Sequence, residues 1–141
     1  MFYASVMINK AMTHNINPAV WGPTFWKMFH TTSMGYPDVP TEEQKRHMKN
    51  FIQAIPTLLP CDACKIFSAQ YIADERRIDA AIRSHNSLIE YFITFHNAVN
   101  MKLEKPVWNG TLSEHFKKTA DYTPVLIVAI IMTTLFFIFK R

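Results

Sequence analysis

Cys61 and Cys64 are the only cysteines among 141 residues, and two residues separate them in Leu59-Pro60-Cys61-Asp62-Ala63-Cys64-Lys65. A pair this close cannot staple distant parts of a fold. It can close a small ring, supply half of a metal site, or cycle between dithiol and disulfide. Zinc needs two further ligands at workable spacing. The histidines (His14, His30, His47, His85, His96 and His115) form no closely spaced pair, and none lies near the cysteines in sequence. A thioredoxin-like site needs a preceding strand within a βαβ unit. If Cys61 caps or directly precedes a helix, its sulfur meets free N–H groups and the positive end of the helix dipole. That setting favours the thiolate, so one sulfur can attack or accept a mixed disulfide while the other resolves it.

A second set of residues lies further along. His96, Asn97 and Asn100 interrupt an otherwise apolar stretch, and Ile89, Ile93, His96 and Asn100 share one helical stripe. Polar groups therefore stand where burial is expected, and buried polar groups need partners. A planar ligand with a polar head, lodged between helices, would supply them. Trp26 and Trp108 offer stacking surface, His30 shares the face of Trp26 four residues on, and Lys102 and Lys105 offer charge for phosphates. For any lone histidine a surface face or a satisfied core position is the commoner reading, and the polar residues along this apolar stripe weaken it here.

The elements that must position these residues read as helices. The first is expected from Trp21-Gly22-Pro23 to about Met34, with Pro23 in a first-turn position. The second opens at Thr41, which with Gln44 makes a capping box, and carries Met48, Phe51, Ile52 and Ile55 as its apolar stripe. Pro56 is expected to disturb or end it. A third, roughly Asp62 to Ala73, follows the cysteines with Ile66, Phe67 and Tyr71 turned inward. A short turn is expected near Asp79–Arg83. The longest helix carries a capping box of Ser87 and Glu90 and the stripe Leu88, Phe92, Phe95, Val99 and Leu103, bounded by Pro106. Nothing alternates with period two for long enough to argue a sheet. The expected fold is all-α: a bundle of four helices with a short fifth, plus a C-terminal transmembrane helix.

That last element is expected at 122–139, YTPVLIVAIIMTTLFFIF, which holds no charge. Eighteen helical residues span about 27 Å, close to the hydrocarbon thickness of about 30 Å. The expected organisation is a tail at 1–17, a domain at 18–108, a linker at 109–121, the anchor, and a two-residue tail at 140–141. The opening residues lack the apolar stretch of a signal peptide, so the domain is expected to face the cytosol, where a Cys-x-x-Cys pair is catalytic or metal-binding more often than structural. The net charge of +4 is spread without a basic block, which argues against nucleic acid as a partner.

Three stretches, WGPTFWKMFH, LPCDAC and HNAVNMKLEKPVW, occur in this order. Together they resemble the ERV/ALR sulfhydryl oxidases, FAD-dependent thiol oxidases with a small helical-bundle domain. The likeness runs roughly from Pro18 to Trp108, and the short anchored chain is similar to the minimal members found in large DNA viruses. The resemblance implies that Cys61 faces the thiol donor and Cys64 lies against the isoalloxazine. It implies that Trp26, His30, His96, Asn97, Asn100, Lys102, Lys105 and Trp108 hold FAD, and that O2 is the final acceptor, giving H2O2. It also implies a homodimer. Two family features are missing: the structural disulfide, whose positions correspond to Ile93 and Gly110, and the distal shuttle cysteines. A small dithiol carrier protein is therefore the expected donor, meeting Cys61 directly. Glycine is commoner in the family where Glu104 stands. The competing reading is a non-enzymatic anchored adaptor with a structural or regulatory cysteine pair.

Overall fold

The computed structural model describes residues 15–109. Five helices occur there: α1 (Pro18–Met34), α2 (Glu42–Leu58), α3 (Asp62–Ile72), α4 (Glu75–Ala81) and α5 (His85–Lys102). Among the described residues there is no strand, and four longer helices with one short one match the expected bundle.

Helix starts follow side chains able to occupy a first-turn amide. Asn17 accepts from the Ala19 N–H at 3.0 Å and Pro18 takes the first helical position, so α1 begins a turn earlier than expected and encloses Pro23. The Thr41–Gln44 capping box is present in both directions, at 3.2 and 2.9 Å. Helix α2 then continues through Pro56 to Leu58, correcting the expected break. A proline forfeits the hydrogen bond its N–H would make, and the packing of Ile52 and Ile55 holds the helix across that gap. Asp74 caps α4, moving this turn ahead of its expected place. Helix α5 is capped by Ser84 rather than Ser87. Ser87 instead serves as the reciprocal partner, taking the Ser84 N–H at 3.0 Å and donating to the Ala81 carbonyl at 2.8 Å.

Helix α5 packs against α1 and α4, and α3 packs mainly against α2. Phe92 and Phe95 of α5, Ile52 and Ile55 of α2, Ile78 of α4 and Leu88 form the buried centre. Phe29 of α1 stacks on Phe92 with centroids 5.5 Å apart, and Phe51 meets Phe29 edge-on at 6.0 Å. In α3 the inward face differs from expectation. Lys65, Ser68 and Ile72 are buried in register with Cys61, whereas Ile66 is 50% exposed. These residues recur at steps of three and four and so share one face, Ile66 lies off it, and packing against α2 decides that this is the face buried. Phe67 and Tyr71 do pack on the core as expected. Leu103 caps the end of α5 and is exposed, so the apolar stripe stops at Val99.

The chain divides into two units, Met1–Val107 and Trp108–Arg141. The expected linker beyond Asn109 and the anchor at 122–139 lie outside the described residues. Among the described residues no helix is long and apolar enough to cross a membrane.

Candidate active site

Cys61 is the N-cap of α3, with extended backbone (φ −158°, ψ 118°), and its sulfur accepts the Cys64 N–H at 3.2 Å. A helix start leaves its first amides without intrahelical partners, so a sulfur here takes up a donor that would otherwise need water. Cys61 and Cys64 are joined as a disulfide. Cys61 is the more buried of the two, at 9% exposure, while Cys64 is half-buried against the core. The pair is thus placed where the amide, the dipole and its mutual bond all favour reversible thiol–disulfide chemistry.

Two polar side chains that spacing did not single out surround this turn. Asn15 accepts the Asp62 N–H at 2.9 Å and donates to the Asp62 carboxylate at 3.2 Å. Lys65 is buried, its ammonium 3.9 Å from the same carboxylate. Asparagine is a usual capping residue, but nothing local shows that Asn15 caps a helix 47 residues further on.

The ring cluster forms between α1 and α5. The Trp26 indole stacks on the His96 imidazole, with centroids 3.9 Å apart and planes 7° from parallel. Nε2 of His30 and Nδ1 of His96 are hydrogen-bonded at 3.1 Å. His30 is 4% exposed, and Trp26 also meets Phe29 and Phe95 edge-on, so the cluster is fixed by the core beneath it. Asn97 and Asn100 are half-buried on α5.

Past Asn100 the helix closes with a left-handed residue. Glu104 has φ 54°, the Glu104 N–H reaches the Met101 carbonyl at 3.1 Å, and the Lys105 N–H reaches the Asn100 carbonyl at 2.8 Å. These two bonds are a Schellman closure, whose left-handed position glycine enters most freely. Lys105 is exposed, whereas the Lys102 ammonium lies 4.6 Å over the Phe67 ring of α3. Phe67 follows Cys64 by three residues, so this contact ties the end of α5 to the dithiol helix. A second tie runs through rings: Tyr71 of α3 stacks on Phe95 at 4.6 Å, and Phe95 meets Trp26 at 5.4 Å. The structure therefore joins Trp26, His30 and His96 directly and links Lys102 to α3. Trp108 belongs to the second unit.

A small helical bundle with a disulfide at one helix N-terminus and a stacked tryptophan–histidine cluster between two other helices defines a thiol–disulfide protein of the all-α kind. The family model described as Erv1 / Alr family matches residues 23–121. The chain belongs to the Erv1 / Alr family. It is 40% identical over 92 residues to a putative FAD-linked sulfhydryl oxidase of Invertebrate iridescent virus 3, covering 65% of this chain and 62% of the relative. A counterpart from Invertebrate iridescent virus 6 is 37% identical over 97 residues, with 66% and 87% covered. Among solved structures, the FAD binding domain of Erv1 from Saccharomyces cerevisiae superposes with a TM-score of 0.61 at 30% identity, covering 67% of this chain and 87% of that one. The match thus spans less than two thirds of the first of these relatives and most of the other two.

Proposed function

We propose that this chain is a flavin-linked thiol oxidase that forms disulfides in partner proteins. The observation that carries the reading is the Cys61–Cys64 disulfide at the N-cap of α3, with the Cys64 amide on the Cys61 sulfur. A partner thiolate attacks one sulfur of that bond, forming a mixed disulfide and releasing the other as a thiolate. The partner's second thiol then displaces the enzyme sulfur, leaving a partner disulfide and a reduced Cys61/Cys64 pair. Family resemblance assigns the attacked sulfur to Cys61 and the electron-delivering one to Cys64.

The donor set fits FAD. The near-parallel Trp26 and His96 rings offer flat faces to an aromatic system, Asn97 and Asn100 offer amide donors and acceptors, and Lys102 and Lys105 carry charge suited to a diphosphate. Bound FAD would accept two electrons from the reduced pair and pass them to O2, giving H2O2. His30, held to His96, fixes the tilt of that ring, and Phe29 and Phe95 keep water from beneath Trp26.

The chain carries no second cysteine pair to relay electrons, so the donor is a small dithiol protein that reaches Cys61 directly. The uncharged stretch at 122–139 supports a membrane anchor with the domain facing the cytosol, and the resemblance to short viral members supports a viral membrane setting. The family resemblance supports a homodimer.

The test is made on the full chain purified in detergent. It is expected to be yellow and to consume oxygen when given a dithiol; a colourless, well-folded protein overturns the reading. Cys64→Ser is expected to keep the flavin absorbance and lose turnover, and retained turnover contradicts the assigned electron path.

A further inference from the structure

Residues 15–17 run between the start of α1 and the start of α3 and hydrogen-bond to both. Asn17 caps α1, and the Ile16 carbonyl accepts the Trp21 indole N–H at 3.0 Å. On the other side the Ile16 N–H donates to the Pro60 carbonyl at 2.9 Å, and Asn15 makes its two bonds to Asp62. The segment therefore engages the residue before Cys61 and the residue after it. The main packing partners of α3 are α2 and α4, whereas Trp26 and His30 lie on α1. This short crossing is what fastens the capping turn of α3 to the helix that carries the ring cluster.

We propose that Asn15 is a positioning residue for the Cys61–Cys64 pair: by gripping the amide and carboxylate of Asp62 it holds the first turn of α3 and sets the dithiol–disulfide equilibrium. The physical argument has two parts. The amide of Cys64 reaches the Cys61 sulfur only while the first turn is wound, and that bond and the helix dipole stabilise the thiolate of the reduced form. The Asp62 carboxylate, set between the two cysteines, opposes a thiolate, and the Asn15 amide and Lys65 ammonium both offset its charge. Loosening the turn or adding a charge there disfavours the reduced pair. The proposal rests on the redox reading of the cysteines but not on the flavin.

The test equilibrates the full-length protein anaerobically with mixtures of reduced and oxidised glutathione, then counts free thiols by alkylation. Two glutathione thiols give up two electrons and two protons to the Cys61–Cys64 bond, leaving one oxidised glutathione and the protein dithiol. Asn15→Asp keeps an acceptor for the Asp62 N–H, loses the amide donor and sets a second carboxylate against Asp62. It is expected to shift the equilibrium about tenfold toward the protein disulfide, equivalent to a potential about 30 mV lower for this two-electron couple. Asn15→Ala, which adds no charge, is expected to shift it the same way by less. Combining Asn15→Asp with Asp62→Asn restores a donor–acceptor pair with unchanged net charge, and is expected to return the equilibrium to within about twofold of the starting protein. An equilibrium unmoved by Asn15→Asp overturns the proposal, including the case where reduction merely becomes faster, since the segment would then only cover Cys61. A shift that Asp62→Asn does not restore overturns it too, because Asn15 would be acting through some other group. A flavin-free preparation still gives this readout, so failure here is distinct from failure of the oxidase reading.

Discussion

Tyr91 is buried in the face of α5 turned toward α3, and its hydroxyl has no hydrogen-bond partner among the described residues. Its neighbour Tyr71 has solved the same problem by donating to Thr94 at 3.1 Å, with Arg77 4.7 Å over its ring. A buried hydroxyl without a partner costs roughly 1–3 kcal/mol in desolvation, and removing it leaves the packing of the ring intact. Tyr91→Phe is therefore expected to be neutral or to stabilise by about 1 kcal/mol, read as a raised urea midpoint at unchanged slope. A destabilised variant would show that the hydroxyl has a partner the argument lacks. His30 differs in kind: it is as deeply buried, but its Nε2 meets His96, and that bond is what makes a ring pair out of two separate helices.

At the scale of an element, the end of α5 carries a strained residue beside the site. Glu104 sits in the left-handed region that glycine enters freely and other residues enter at a cost of roughly 1–2 kcal/mol. Glu104→Gly is expected to stabilise the domain by about 1 kcal/mol, partly offset by the greater freedom of glycine when unfolded. Thermal melts of the two proteins under one condition check this. Because the Lys105 N–H closes onto the Asn100 carbonyl through this residue, a lower melting temperature would mean that the Glu104 side chain itself supports the turn. Capping at the other helix ends behaves more ordinarily. Thr41→Ala removes an N-cap acceptor and leaves the Gln44 amide bare, an expected loss of about 1 kcal/mol with little change in any flavin-dependent activity.

At the scale of the whole molecule, three groups among the described residues have pKa values raised on folding. Burial raises the Tyr91 phenol far above its ordinary value of 10.0, with the Tyr71 charge adding to it. Burial also raises Tyr36, with Glu42 adding to it, while the Tyr36 hydroxyl donates to the Ile82 carbonyl at 2.9 Å. The hydrogen bond to Asp79 raises Lys49 from 10.5. All three groups keep their protons longer in the folded state than in the unfolded chain. Their contribution is fully present below the unfolded values, near pH 10, and falls as pH rises above them, because the unfolded chain then binds fewer protons. The melting temperature is accordingly expected to fall progressively above pH 10, with Tyr91→Phe making that fall shallower. Far-UV circular dichroism melts across an alkaline series test it; an equally steep fall in the variant would place the effect elsewhere.

Much of this protein follows from its sequence alone. Short-range rules suffice for the all-α character, the Thr41 box, the start of α3 at Cys61 and the apolar stripe of α5, because helix caps and three-and-four periodicity act within one or two turns. The candidate residues on α1 and α5 were legible because Trp26/His30 and His96/Asn100 share faces by spacing, and the three stretches form a recognisable set. Other features were settled only by tertiary contacts. Helix α2 runs through Pro56 because Ile52 and Ile55 ahead of it are buried, and Ser87 serves Ser84 and Ala81 because α4 ends beside it. Ile66 faces outward while Lys65 is buried, since the face of α3 is set by what it packs against rather than by its hydrophobicity. The stacking of Trp26 on His96 and the grip of Asn15 on Asp62 join residues dozens of positions apart. No local periodicity carries such information, because it comes into being only when the helices close on one another.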